Sequence, residues 1–279
     1  MPKSILITGC SSGIGKALAT QMATHDYKVF AGVRNPDSIR ELESDNFIPI
    51  ELDVNNEEHI RNAVEIIESS VGKLDCLVNN AGYGAMGPMM ELPVQDLVRQ
   101  FETNTFAPIA LAQAMLPLLL KSKNPIISNV ASSASYLPTP FSGAYTASKM
   151  AIASLSETML MELKPLGIHV MTVWPGAIAS SFGSTATDKL ADSTANKSMY
   201  ADVMDQVQKR ANSSQYSPTS ADKIVDGLVK ALKAKRPPIN VRIGYGSSIL
   251  PFLGKLPKWY IRFIMNIWYH LYRLKKLTA

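Results

Sequence analysis

The feature that most constrains this chain is an alternation, repeated through its first half, of short β-branched runs with longer amphipathic stretches. The runs are Ser4-Ile5-Leu6-Ile7, Lys28-Val29-Phe30-Ala31, Phe47 to Leu52, Cys76-Leu77-Val78 and Ile126 to Val130, and helical patterns near 14–25, 56–71 and 94–121 separate them. Strands that alternate with helices predict right-handed βαβ crossovers and a parallel sheet covered on both faces. The expected fold class is therefore α/β, a doubly wound, Rossmann-like parallel sheet. A further helix near 144–164 leads into a strand over Ile168 to Trp174, and another helix is expected near 221–234. The reading gives one domain over 1–245, with a polar, irregular stretch at about 178–218 expected as a substrate lid, and a C-terminal amphipathic helical extension over 246–279.

At 279 residues the chain can bury one sizeable core. No basic region with a long apolar run and cleavage site precedes Ser4, so no secretory leader is expected. Two cysteines, Cys10 and Cys76, are too few for a disulfide framework, which suits a reducing, cytoplasmic setting. The four histidines never approach metal-ligand spacing, and no metal is expected. The net charge of +5 conceals a segregation: residues 227–279 hold eleven Lys/Arg and no acid, leaving −6 on the remainder. Such a tail is expected to meet an anionic surface, or to be simply a solvated basic end.

The first strand ends in Thr8-Gly9-Cys10-Ser11-Ser12-Gly13-Ile14-Gly15, and a helix follows at once. Glycines there permit a tight turn, close backbone approach to a pyrophosphate, and close packing of helix on strand, while the helix N-terminus attracts the anion. The P-loop alternative fails, because Ile14 stands where that motif requires glycine and Ala17 follows Lys16. The second strand ends Gly32-Val33-Arg34-Asn35. Val33 cannot accept a ribose hydroxyl proton, whereas the Arg34 guanidinium suits a 2′-phosphate, so NADP(H) is expected over NAD(H). Tyr145 and Lys149 stand four apart near the start of a predicted helix, which puts both on one face. An ammonium beside the phenol is expected to lower its pKa and fit it for proton transfer. The hydroxyls Ser132, Ser133 and Ser135 follow the fifth strand at the same sheet edge.

Taken together, Thr8 to Gly15, Asn79-Asn80-Ala81-Gly82, Asn104, Ser132, Tyr145-x-x-x-Lys149 and Pro175-Gly176 resemble the short-chain dehydrogenase/reductase family over roughly residues 3–235. Within it, Asn80-Ala81-Gly82-Tyr83-Gly84 and Gly87-Pro88 resemble the hydroxysteroid, retinol and aldehyde reductase branches. The resemblance implies that Tyr145 gives and takes the proton and that Ser132, rather than Ser133, holds the reacting oxygen. It implies that Lys149 binds the nicotinamide ribose, and that Asn104 positions a water linking Lys149 to solvent. It also implies cofactor contacts at Gly9, Ser11, Ser12, Gly13, Ile14, Gly15, Asp53, Val54, Asn79, Ala81, Gly82, Pro175, Gly176, Ile178 and Ser180, besides Arg34.

Tyr83, Met86, Met89, Leu137, Phe141 and Phe182 come from loops expected around the nicotinamide, which suggests a lipophilic aldehyde, ketone, retinoid or steroid. A carrier-bound 3-oxoacyl reductase and a non-catalytic NADP(H) sensor are the competing readings. The family resemblance suggests a homodimer or homotetramer built on the helices near 94–121 and 144–164. Residues 256–277, with Trp259, Tyr260, Phe263, Ile264, Ile267, Trp268, Leu271 and Tyr272, are expected to form a helix at a membrane surface. A pocket lid and a subunit contact remain open for them, and no nucleic-acid partner is expected.

Overall fold

The computed structural model describes residues 2–178, 198–213 and 219–274. Seven parallel strands form one sheet: β1 (Lys3–Thr8), β2 (Tyr27–Val33), β3 (Phe47–Glu51), β4 (Cys76–Asn79), β5 (Ile126–Val130), β6 (His169–Pro175) and β7 (Asn240–Ile243). Their order is β3-β2-β1-β4-β5-β6-β7, so the chain reverses its winding direction between β1 and β4. That switch point opens a crevice at the carboxyl ends of the strands, where open α/β sheets bind ligands. The central strands are buried on both faces, as their unbroken apolar runs require: β1 reads Ser-Ile-Leu-Ile-Thr with every residue after Lys3 buried.

Helices cover both faces. On one side α1 (Gly13–Ala23) and α7 (Ala221–Leu232) pack over Ile5, Ile7, Val29 and Val78. On the other, α2 (Glu57–Val71) and α4 (Ala107–Leu120) cover Leu6, Phe30, Leu77 and Ile127. The predicted 94–121 helix is present but not uniform. It runs α3 (Val94–Phe101), then a π turn over Glu102–Phe106, then α4. The run Val94–Leu120 is long and apolar enough by composition to cross a membrane, yet half of its most apolar window is buried in the protein, as befits a helix laid on a sheet. α5 (Gly143–Leu163) is the longest helix and carries Tyr145 and Lys149 in its first two turns.

Three elements differ from expectation. The strand β7, parallel to β6 with Val241 opposite Val173, was not predicted. Within the expected lid, the described residues form a 3-10 turn over Ala201–Val203 and α6 (Met204–Ala211), which pack Val203 and Val207 against Phe141. The C-terminal extension is not one helix over 256–277: it forms α8 (Ile249–Leu253), α9 (Lys258–Trp268) and a short 3-10 turn over Leu271–Arg273, broken at His270, which has φ +51°. It does not hang free, since Tyr269 is buried among Phe141, Val203 and Val207.

Candidate active site

The turn after β1 is built by glycine. Gly9 and Gly13 both hold positive φ, at +72° and +58°. A Cβ at Gly9 would lie 2.9 Å from the Cα of Ala81, so the turns after β1 and β4 approach closer than any side chain allows. They are tied together: the amides of Asn80 and Ala81 donate to Thr8 Oγ1 at 3.0 and 2.9 Å, and the Asn80 side chain donates to the Thr8 carbonyl at 2.8 Å. α1 begins at Gly13 with no acidic residue in its first turn, so nothing on that turn competes with an anion for its free N–H groups.

A continuous cleft of about 1420 Å³ runs from this turn across the strand ends. It exceeds the ~300–1,000 Å³ usual for one drug-sized ligand, leaving room for a dinucleotide and a second molecule. Gly9, Ser11, Ser12, Gly13, Ile14, Arg34, Asp53, Val54, Ala81, Gly82, Pro175, Gly176 and Ile178 all line it. Gly15 does not; it is buried where a Cβ would strike the Gly9 carbonyl and the Asn80 amide, so its role is close packing. Asn79 is corrected as well. Its side chain points into the interior, donating to Asn129 Oδ1 at 2.8 Å and the Pro108 carbonyl at 3.2 Å, and its neighbour Asn80 faces the cleft. Val33 is buried and Arg34 exposed at the cleft's rim, with no carboxylate paired to it among the described residues.

At the far end Tyr145 and Lys149 enter from α5. Ser132, at the end of β5, accepts from the Ala134 amide at 3.3 Å and hydrogen-bonds the Tyr145 phenol. Ser133 is otherwise engaged, donating to the Pro175 carbonyl at 2.7 Å. Lys149 is buried and donates to the Val130 carbonyl at 2.7 Å. Asn104 sits in the π turn behind the cleft, 1 % exposed. It accepts from the Tyr83 amide at 3.1 Å and donates to the Tyr83 carbonyl at 2.9 Å and Ser148 Oγ at 3.0 Å. Gly82 lies between this amide and Lys149: a Cβ there would stand 2.8 Å from Asn104 Oδ1 and 3.2 Å from Lys149 Nζ. The π turn adds one residue to a helical turn and so aims Asn104 at this point, a device frequent at functional sites.

The electrostatics depart from the expected pairing. Burial is the largest influence on Tyr145 and holds its phenol above the ordinary value; the Ser132 hydrogen bond and the Arg210 charge pull the other way. Burial pushes Lys149 down to about 8. The phenol is thus not lowered by Lys149, whose hydrogen bond goes to Val130.

Of the expected substrate residues, Tyr83, Met86 and Leu137 line the cleft. Phe141 does not: it is buried with φ +65°, edge-on to Tyr200 and Tyr269 at ring separations of 6.2 and 5.9 Å. Met89 is exposed and lies over Gly143. Trp174 is core, 4.4 Å from Tyr136. Ser180 and Phe182 lie outside the described residues. Part of the remaining wall comes from segments expected to cover the pocket, Lys209 and Arg210 of α6 within 178–218 and Met265 and Trp268 of α9 within 256–277, while Leu250 and Leu253 of α8 were not foreseen.

The turn, the crevice and the Ser132–Tyr145–Lys149 cluster coincide with a family model described as short chain dehydrogenase, matched over residues 3–191. The chain belongs to the short-chain dehydrogenase family. It is an oxidoreductase of that family. The chain is 30% identical over 273 residues to a 3-ketodihydrosphingosine reductase of Bacteroides thetaiotaomicron, covering 96% of this chain and 98% of that one. It is 33% identical over 184 residues to an NADPH-dependent 1-acyldihydroxyacetone phosphate reductase of Schizosaccharomyces pombe, covering 65% and 62%. A solved short-chain dehydrogenase from Streptomyces avermitilis superimposes with a TM-score of 0.78 at 25% identity, covering 98% of both chains. The doubly wound parallel sheet and single-domain plan expected from the sequence are those of this family, with β7 as an added seventh strand.

Proposed function

We propose that this short-chain dehydrogenase is an NADP(H)-dependent reductase of lipophilic ketones or aldehydes, with Tyr145 as the proton-transferring residue. The observation that carries the reading is the cluster at the cleft's end: a half-buried tyrosine hydrogen-bonded to Ser132, with a buried lysine one helical turn beyond it. The nicotinamide supplies the hydride when bound. Tyr145 holds the matching proton at its hydroxyl, aimed at the carbonyl oxygen, while Ser132 donates to that oxygen and stabilises developing alkoxide charge. Lys149, one turn along α5 from Tyr145, reaches the ribose. Asn104 positions the turn after β4 from behind, through the Tyr83 amide and carbonyl. Arg34 at the rim, with no acid at Val33, supports a 2′-phosphate and hence NADP(H). A carbonyl carried on an apolar chain fits Leu137, Leu250, Leu253 and Met265, and both curated relatives bear reductase names.

Two wider features belong to the same proposal. Val94, Val98, Phe106 and Met161 on α3, the π turn and α5 are exposed apolar residues, and they support association of subunits through these helices. The outer face of α9 supports contact with a membrane surface. The direct test of the chemistry is Tyr145→Phe, which keeps the ring and removes the proton. Turnover of dodecanal should fall at least a thousandfold while NADPH binding, read by fluorescence titration, stays within about threefold. Turnover near the wild-type rate would overturn the assignment.

A further inference from the structure

Arg210 is the feature that the nucleotide and proton-transfer chemistry leave unexplained. It enters the cleft from α6 and is 8 % exposed. Its Nε donates to Thr139 Oγ1 at 3.3 Å and its Nη1 to Ser213 Oγ at 2.6 Å, both neutral hydroxyls. Among the described residues no carboxylate lies within ion-pair distance of it. Asp205, the nearest acid along the chain, is turned away to Gln206 and Arg273. The groups that feel its charge are two phenols, Tyr145 and Tyr269, and burial without a counter-charge holds the guanidinium below its usual range. A buried cation left unpaired is costly, and chains keep one where a ligand supplies the missing charge. Lys209 adds a second cation to the same wall.

We propose that Arg210 is a substrate-binding residue that takes an anionic group, a phosphate or a carboxylate, carried near the reacting carbonyl of the substrate. The inference rests on the oxidoreductase reading for the word substrate, but the anion site stands on its own geometry. Its position makes the ligand amphiphilic: the charge at Arg210 beside Tyr145, the apolar chain along Leu250, Leu253 and Met265. A planar guanidinium with N–H groups beyond those given to Thr139 and Ser213 can grip two oxygens at once. Arg210 would thereby set the carbonyl at a fixed distance from the Tyr145 hydroxyl.

The test compares ligands that differ only in head group, on enzyme saturated with NADP(H) so that the cofactor's own phosphate sites are filled. Calorimetry with dodecyl phosphate, dodecanoate and dodecanol gives the anion-to-alcohol preference. Wild type should prefer an anion at least tenfold, and which anion wins tells phosphate from carboxylate. In Arg210→Met that preference should fall about ten- to a hundredfold, with partial recovery in Arg210→Lys. A ratio is insensitive to a general loosening of the fold, so an unchanged ratio in Arg210→Met, or no preference in wild type, overturns the proposal. Reduction of dodecanal by NADPH is followed in parallel. Absent turnover with an intact anion preference would sink the reductase reading and leave the site standing, whereas turnover without preference would do the reverse.

Discussion

Lys149 occupies a place that is hard on a cation: it is buried, and its hydrogen bond goes to a backbone carbonyl rather than to a carboxylate. Its pKa falls from 10.5 to about 8, a difference worth about 3 kcal/mol at neutral pH. The sign follows from linkage. Between pH 8 and 10.5 the unfolded chain binds the proton and the folded one does not, so stability rises with pH across that window and is lost again as pH falls through 8. Lys149→Met should therefore stabilise the cofactor-free protein at pH 7 by up to about 3 kcal/mol, with the gain vanishing near pH 10.5. Denaturant melts at the two pH values check this; equal effects at both would show that the lysine is not held in a destabilising site. Arg34 makes the second residue-scale prediction. Arg34→Ala should weaken NADPH about ten- to a hundredfold and NADH little, because only NADPH carries the phosphate that the guanidinium would meet. Parallel titrations decide it, and equal losses would make Arg34 structural. These residues were legible in the sequence, since Arg34 and Lys149 sit at fixed offsets from a strand end and a tyrosine. Arg210 was not legible, because what marks it is the lack of a partner in three dimensions.

At the scale of elements, periodicity identified six of the seven strands and the helices that cover the sheet, but it was blind to three things. The π turn at Glu102–Phe106 leaves the apolar spacing of 94–121 nearly undisturbed, because one extra residue is absorbed within a single turn. The backbone shows it, and Asn104 within it bonds both the amide and the carbonyl of Tyr83. The strand β7 is four residues long, carries Arg242 and follows Pro237-Pro238, so it lacks the apolar run that marked its neighbours. It forms because β6 has an open edge and α7 delivers the chain beside it. Phe141 and Asn79 were misplaced for a related reason. Phe141 lies in the loop before α5 and Asn79 is the last residue of β4, and at such ends of elements a side chain's direction is set by neighbours distant in sequence: Tyr269 for Phe141, Asn129 for Asn79. Local pattern fixes which face of a strand or helix is buried; it says nothing of which way a loop residue turns. The choice between Ser132 and Ser133 had the same character: Ser132 meets the Tyr145 phenol, whereas Ser133 donates to the Pro175 carbonyl.

At the scale of the whole molecule, the C-terminal extension presents two faces with different fates. Ile261 is buried, Met265 and Trp268 border the cleft, and Tyr269 is locked against Phe141, so one side of α9 walls the cleft. The opposite side leaves Trp259 69 % and Phe263 59 % exposed, with Ile267 beside them and Lys258 and Arg262 on the same short helix. An apolar and aromatic face flanked by cations suits a membrane surface with anionic headgroups. Because the helix also walls the pocket, removing it whole would confound docking with catalysis. Phe263→Asp with Ile267→Asp separates them, since both side chains point away from the cleft. The pair places two charges where apolar burial would occur, and adds negative charge next to anionic lipid. Sedimentation with vesicles of mixed neutral and anionic phospholipid should show binding by the wild type that falls at least tenfold in the double variant. Steady-state KM for a short, soluble aldehyde should stay within about twofold, because the wall facing Tyr145 is intact. Vesicle binding unchanged by the two aspartates would remove the outer face from the membrane reading. If light scattering instead showed loss of the native oligomer in the variant, the face would be a subunit contact, and the aromatic tail would serve assembly alongside its part in closing the pocket.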